Sequence, residues 1–288
     1  IPKEKIEKLK KRGYGVYEDY RVSAFLNESV PLIKANDVWK IVVNSTNVTG
    51  RNVSVCVIDT GVDYTHPDLG GCYGNGTNFS CKVIAGYDFV NNDTDPMDDN
   101  GHGTHVAGTI AQSTDNSLGT AGVAFEAVIM PIKVLDSTGH GNYADIARGI
   151  YYAADHGAKV INLSLGGAYP SKTLENAVAY AFNKGALIVA AVGNDHLNGN
   201  PVTYPAAYDQ YVIAVGATRY DGKRAPYSNT GEHIDVVAPG GDLHLDQNKD
   251  GFKDGILQQT FSVDPRRFNY WFYPVSYTHL TLPTTERV

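Results

Sequence analysis

The sequence predicts an α/β domain built on a doubly wound parallel sheet with helices on both faces. Three observations carry this expectation. From Asn52 onward, short apolar runs alternate with segments whose apolar residues recur at helical spacing. The apolar runs lack the polar alternation of a sheet with one wet face, so their strands are buried on both sides. Glycines close two of the helical segments, where a left-handed C-cap would stand.

Taken in order, the predicted strands are Val53 to Ile58, Val128 to Leu135, Val160 to Leu165, Leu187 to Val192 and Tyr211 to Val215. Between them, His105 to Gln112, Tyr143 to His156 and Thr173 to Lys184 carry apolar residues at helical spacing, and Gly157 and Gly185 follow the last two. Right-handed crossovers then place the chemistry at the carboxyl ends of the strands.

A chain of 288 residues with 42% hydrophobic content can supply a real core. No run of about eighteen apolar residues occurs, so no membrane span is expected. The formal charge of -7 gives no basic field for nucleic acid, and the one basic cluster, Lys3 to Arg12, is interrupted by Glu4 and Glu7. The N-terminus lacks the pattern of a signal peptide, which places any export signal upstream.

Cys72 and Cys81 stand nine positions apart in a Gly/Asn-rich loop and read as a local disulfide, the alternative being two free thiols; Cys56, inside an apolar run, reads as a buried thiol. A zinc site is not expected, because no second Cys/His pair stands nearby at ligand spacing. Asn-x-Ser/Thr sequons at Asn27, Asn44, Asn47, Asn75, Asn78 and Asn92 suit an extracellular surface.

Polar residues end three of the strands: Asp59 after Val-Cys-Val-Ile, Ser164-Leu165-Gly166-Gly167, and Gly193-Asn194. His102, in Asn-Gly-His-Gly-Thr-His-Val-Ala-Gly, heads a helix between two glycines that permit close approach. Asp59 could hold the His102 ring, leaving its other nitrogen to take a nucleophile's proton, and Asn194 offers an amide to a developing oxyanion. A lone Asp after a strand is more often a turn or helix-cap residue, and Gly-Asn is a common turn pair.

The segments Val57-Ile58-Asp59-Thr60-Gly61-Val62-Asp63, His66-Pro67-Asp68-Leu69, His102-Gly103-Thr104-His105-Val106-Ala107-Gly108 and Asn162-Leu163-Ser164-Leu165-Gly166-Gly167 closely resemble subtilisin-like serine proteases, over roughly Ser29 to Pro239. The resemblance implies that Asp59 and His102 are the triad acid and base and Asn194 the oxyanion amide, with His105 outside the triad. It implies that Ser164, Leu165 and Gly166 pair with the substrate backbone as an added strand. Tyr143 and Ile146 would line the pocket for the fourth residue before the scissile bond, and Ala191 and Gly193 would border the primary pocket.

By the same resemblance, residues 1 to 26 read as the end of an inhibitory propeptide and residues 27 to 273 as the catalytic domain. The family's Gly-Thr-Ser-Met-Ala-type turn does not occur, and Ser276, near the expected nucleophile, lacks its flanking Gly and small residues. Residues 274 to 288 have no helical periodicity and resemble one reading frame of a transposase adaptor used in sequencing libraries. The expectation is therefore a chain truncated before its catalytic Ser, with the C-terminal part of the fold missing and the copy inactive. A peptide-binding pseudoprotease is the rival reading; a dinucleotide enzyme is excluded because no Gly-x-Gly-x-x-Gly follows the first strand.

Asp246-Gln247-Asn248-Lys249-Asp250-Gly251-Phe252-Lys253-Asp254 resembles a calcium loop, with oxygen ligands from Asp246, Asn248, Asp250 and Asp254 and the turn glycine at its sixth position. Leu257 replaces the bidentate Glu. The family resemblance implies a second structural Ca2+ site at Asp68 and Asn116. The expected protein is a secreted, calcium-stabilised monomeric endopeptidase acting on proteins and peptides, with its own propeptide as inhibitor and neither nucleic acid nor membrane as partner.

Overall fold

A computed structural model describes residues 30–74, 81–116, 120–251, 253–261 and 270–274. In chain order these form α1 (Ala35–Val38), a small antiparallel ribbon of β1 (Val42–Val43) and β2 (Thr46–Asn47), then β3 (Ser54–Asp59), β4 (Tyr73–Gly74), β5 (Val83–Ile84) and β6 (Tyr87–Asp88). There follow α2 (His102–Ala111), β7 (Val128–Lys133), α3 (Tyr143–Asp155), β8 (Val160–Leu163), α4 (Lys172–Asn183) and β9 (Leu187–Ala191). The chain continues through β10 (Val212–Thr218), β11 (Val236–Pro239), β12 (Leu257–Phe261) and β13 (Tyr270–Pro274).

The central sheet runs β11-β10-β9-β8-β3-β7-β5-β4, with β6 also paired to β7, and its pairings are parallel. Side chains that alternate along β3 serve different layers, as a period of two requires. Cys56 and Ile58 join the core beneath α3 and α4 with Ile150, Leu174 and Val178, whereas Val55 and Val57 pack with Val106 and Ile110 of α2. Burial on both faces is why the strand lacks polar alternation.

Local signals set the helix ends. The Asn142 side chain accepts from Asp145 N at the start of α3, and Ser171 accepts from Leu174 N at the start of α4. Gly157 and Gly185 end these helices in left-handed conformation, with Ala158 N bonded to Ala153 O and Ala186 N to Ala181 O. Helix α2 begins three residues before its apolar spacing would start it. Its first turn is held by Asp98, outside the helix, rather than by a buried apolar side chain.

The expectation that the C-terminal part of the fold is missing is corrected here. Strands β12 and β13 pair antiparallel and extend the described structure to Pro274. Strand β12 packs on α2: Gln258 lies against Gly108, its Oε1 accepts from Thr120 Oγ1 at 2.6 Å, and Thr260 Oγ1 donates to Gly101 O at 2.8 Å. Leu-Gln-Gln-Thr-Phe gave no strand signal because Gln258 is buried by hydrogen bonding rather than by apolar character. The propeptide reading of residues 1 to 26, Ser276, and residues 275 to 288 of the adaptor-like tail fall outside the described residues.

Candidate active site

Strand register brings the polar strand ends to one rim. Extending the observed pairings by one or two residues sets Asp59 level with Lys133 on one side and with Ser164 on the other, and Ser164 level with Ala191. Neighbouring strands lie about 4.8 Å apart, so residues distant in sequence share one edge.

His102 reaches this rim because it opens α2 between two glycines. Gly101 holds a φ of 104°, and a Cβ on Gly103 would fall 2.1 Å from Gly61 O, so only glycine lets α2 approach the turn after β3. His102 Nδ1 then lies 2.6 Å from Asp59 Oδ1. Thr60 N donates to the same oxygen at 2.7 Å, and Val134 N and Leu135 N donate to Asp59 O. Asp59 is fully buried and His102 is 8% exposed. A carboxylate facing Nδ1 places the ring proton there and directs Nε2 to accept one. Burial pulls the imidazole's pKa down, but the charge and hydrogen bond of Asp59, with the charge of Asp98, outweigh it and leave the value raised.

A solvent-open cleft of about 1290 Å³ begins at His102 and Thr60 and is walled by Leu135, Tyr143, Ile146 and the segment Ser164 to Gly167. Ser164 is buried and its Oγ accepts from Asn162 Nδ2, while Gly167 forms a bridge with Tyr204. Tyr143 donates its hydroxyl to Tyr169 O across the cleft's end. Ala191 is buried in β9, and Gly193, at φ 95°, packs against Asn229 and Thr203. Asn194 is 7% exposed and its amide has no hydrogen-bond partner among the described residues. An unsatisfied buried amide at a strand end is costly unless a ligand supplies the partner. His105, one turn beyond His102, is wholly buried within α2.

Cys72 and Cys81 are joined in a disulfide with 5.5 Å between their Cα atoms; Cys56 is free and buried, and burial raises its thiol pKa. Asp68 accepts from Gln112 Nε2 at 2.7 Å and Asn116 Nδ2 at 2.6 Å. In the loop of Asp246, Asn248, Asp250 and Asp254, Gly251 takes a φ of 94° and its N donates to Asp246 Oδ2. Asp246 Oδ1 is buried without a partner among the described residues. No three His, Cys, Asp or Glu side chains converge at metal-binding distance among the described residues.

Sequence reasoning missed Asp98 and Lys133. Lys133, 1% exposed, donates to Thr60 O, Leu135 O and Asp99. Its only signal was a lysine ending an otherwise apolar strand. Asp98 stands in Met-Asp-Asp-Asn-Gly, which reads as an ordinary turn.

A model of the Subtilase family matches residues 50–272. The chain is 55% identical over 190 residues to "Thermophilic serine proteinase" of Bacillus sp. (strain AK1), covering 66% of this chain and 44% of that protein. It is 44% identical over 209 residues to "Thermitase" of Thermoactinomyces vulgaris, covering 72% and 68%. Among solved structures, a cold adapted subtilisin-like serine proteinase superposes with a TM-score of 0.61 at 31% identity, over 82% of this chain and 75% of that one. The chain thus spans less than half the length of the first of these relatives. The family match runs past β12 into β13, and nothing in these likenesses marks the serine as missing. The expectation of a domain truncated before its nucleophile, left inactive or serving only to bind peptides, is accordingly corrected. With its family motifs on one rim and the match covering most of its length, the chain belongs to the subtilase family.

Proposed function

We propose that this protein is a secreted serine endopeptidase that hydrolyses peptide bonds through an Asp-His-Ser triad, with Asp59 as the acid and His102 as the base. The observation that carries the reading is the buried Asp59–His102 contact of 2.6 Å at the head of the cleft. The serine that completes the triad, not assigned to a position in this chain, would attack the scissile carbonyl carbon while His102 Nε2 takes its proton and Asp59 steadies the imidazolium at Nδ1–H. Asn194 donates to the carbonyl oxygen as it becomes an oxyanion. The intermediate collapses with His102 returning the proton to the leaving amine. Water, activated by the same base, then releases the acyl group.

Substrate would lie in the cleft as an extended strand against Ser164, Leu165 and Gly166, with Tyr143 and Ile146 around an upstream side chain and Ala191 and Gly193 about the primary one. Unfolded proteins fit such recognition because their backbone groups are free to pair. The protein's own propeptide, read in residues 1 to 26, would occupy the same cleft in a monomer before release.

The disulfide suits the oxidising compartment of a secreted protein. Calcium would be structural. Asp246, Asn248, Asp250 and Asp254 would hold one ion, supported by the partnerless Asp246 Oδ1 and the turn at Gly251. Asp68 and Asn116 would hold another once the Asn116 amide turns its oxygen, in place of its Nδ2–H, toward the ion.

The test is reaction with a sulfonyl fluoride, followed by mapping of the labelled peptide, beside an assay on unfolded casein. One labelled serine, with labelling and turnover both lost in His102→Ala, is the expected result. Neither label nor turnover in the wild-type chain would overturn the triad.

A further inference from the structure

The Asp59–His102 contact depends on two backbone segments meeting, and one buried carboxylate bonds to both. Asp98 is 5% exposed and its carboxyl oxygens accept five hydrogen bonds. Oδ1 accepts from Thr60 Oγ1 at 2.8 Å, Asn100 N at 3.0 Å and Gly101 N at 3.0 Å. Oδ2 accepts from Thr104 N at 2.9 Å and Thr104 Oγ1 at 2.6 Å. Both hydroxyls are fixed as donors to Asp98. Thr60 Oγ1 itself accepts from Gly103 N at 2.9 Å, and Thr104 Oγ1 accepts from Asp63 N at 2.8 Å, so each O–H is left for the carboxyl. Five donors facing two oxygens suit an ionised acceptor.

These donors surround the pair without being the pair. Thr60 follows Asp59, Asn100 and Gly101 precede His102, and Thr104 stands in the first turn of α2. Behind Thr60, the Lys133 ammonium binds its carbonyl. Resting on the triad reading above, we propose that Asp98 is a positioning residue of the Asp59–His102 pair: a second buried carboxylate that fixes their separation and adds its negative charge to the field in which the imidazolium forms. Burial holds the Asp98 carboxyl above the usual range, against the pull of hydrogen bonds from Gly101, Thr104 and Asn100.

The charged and titratable groups around His102 define the test. Asp59 comes from β3 and Asp98 from the loop before α2, whereas Lys133 of β7, paired with Asp99, lies beyond Thr60. His105 follows on α2 and His140 lines the cleft's far wall. Asp98→Asn keeps the shape and removes the charge; Thr60→Val cuts the link and keeps the charge.

For each variant, kcat and KM are measured on a peptide anilide and the His102 imidazole is titrated by NMR. Asp98→Asn should lower kcat about 10- to 100-fold with KM little changed, and lower the His102 pKa. Thr60→Val should lower kcat while leaving the pKa in place, an outcome that a merely structural Asp98 does not predict. A folded Asp98→Asn protein with wild-type kcat and titration overturns the proposal. If that variant does not fold, wild-type kcat in Thr60→Val overturns it instead. Absence of turnover in the wild-type chain counts against the triad, and the imidazole titration still reads the effect of Asp98.

Discussion

At His102, burial opposes protonation and the carboxylates favour it, with the carboxylates prevailing. In its proposed role as base His102 must be neutral to act, so the acid limb of kcat/KM should lie above the ordinary histidine value of about 6.5. A limb well below it would mean that another group limits the rate. The same raised value has a consequence for stability. Protonation of His102 stabilises the fold fully below the unfolded value of about 6.5, and this contribution is lost as pH rises through the higher folded value. His102→Gln should therefore depress the melting temperature more at pH 5 than at pH 9, and an equal depression at both would contradict the shift. Asn194, with its amide unpartnered among the described residues, should matter to rate rather than fold. Asn194→Leu is expected to cost about 10² to 10³ in kcat, the general range for loss of one oxyanion-hole donor, known from subtilisin itself. Unchanged kcat would remove Asn194 from the mechanism.

Helix α2 is the element on which the site depends. All ten of its residues are buried, and it meets the turn after β3 only because Gly103 carries no side chain. Gly103→Ala would drive Cβ into Gly61 O, backbone that cannot yield without moving Asp59. Overpacking of this kind costs about 1 to 3 kcal/mol, and a displacement near 1 Å costs about 10² in rate. Melting and kcat measured on one preparation should both fall; a wild-type rate would show that the approach tolerates a methyl group. The Cys72–Cys81 link works on a different term, since it closes a short loop and restricts the unfolded chain. Replacing both cysteines by serine should lower stability by about 2.5 kcal/mol on the chain-entropy account, with kcat unaffected.

Across the whole molecule, the parallel sheet gathers chemistry on one edge and leaves acidic loops to be neutralised elsewhere. Asp254 illustrates this: burial, then repulsion from Asp246, Asp250 and Asp242, raises its carboxyl pKa against a hydrogen bond from Gln247 N. A divalent cation would relieve that repulsion. An ion that binds only the folded state at a hundred times its dissociation constant stabilises it by about 2.7 kcal/mol. Chelation should thus lower the melting temperature before it alters the chemistry, and Asp246→Asn with Asp250→Asn should remove part of the calcium-dependent shift. If the double variant keeps the full shift, the loop is only a solvated turn.

The layers of this protein were legible in its residues alone. Val55 to Ile58 are apolar at every position, as a strand covered on both faces requires, and Asn142, Ser171, Gly157 and Gly185 mark helix ends through bonds made within a few residues. The motifs around Asp59 and His102 pointed to the family for the same reason, since their glycines and polar residues serve local turns. Folding alone settled the features whose partners lie far apart in the chain. Strand β12 carries no apolar signature because Gln258 and Thr260 are buried with hydrogen bonds to Thr120 and Gly101, more than 130 positions away. Asp98 and Lys133 look like a turn residue and a strand-end lysine until folding encloses them between β3, β7 and α2. Burial of a charge is a property of the assembled layers: Asp98 draws most of its donors from its own turn but meets β3 only through Thr60, and Lys133 finds Thr60 O and Asp99 only once the layers are formed.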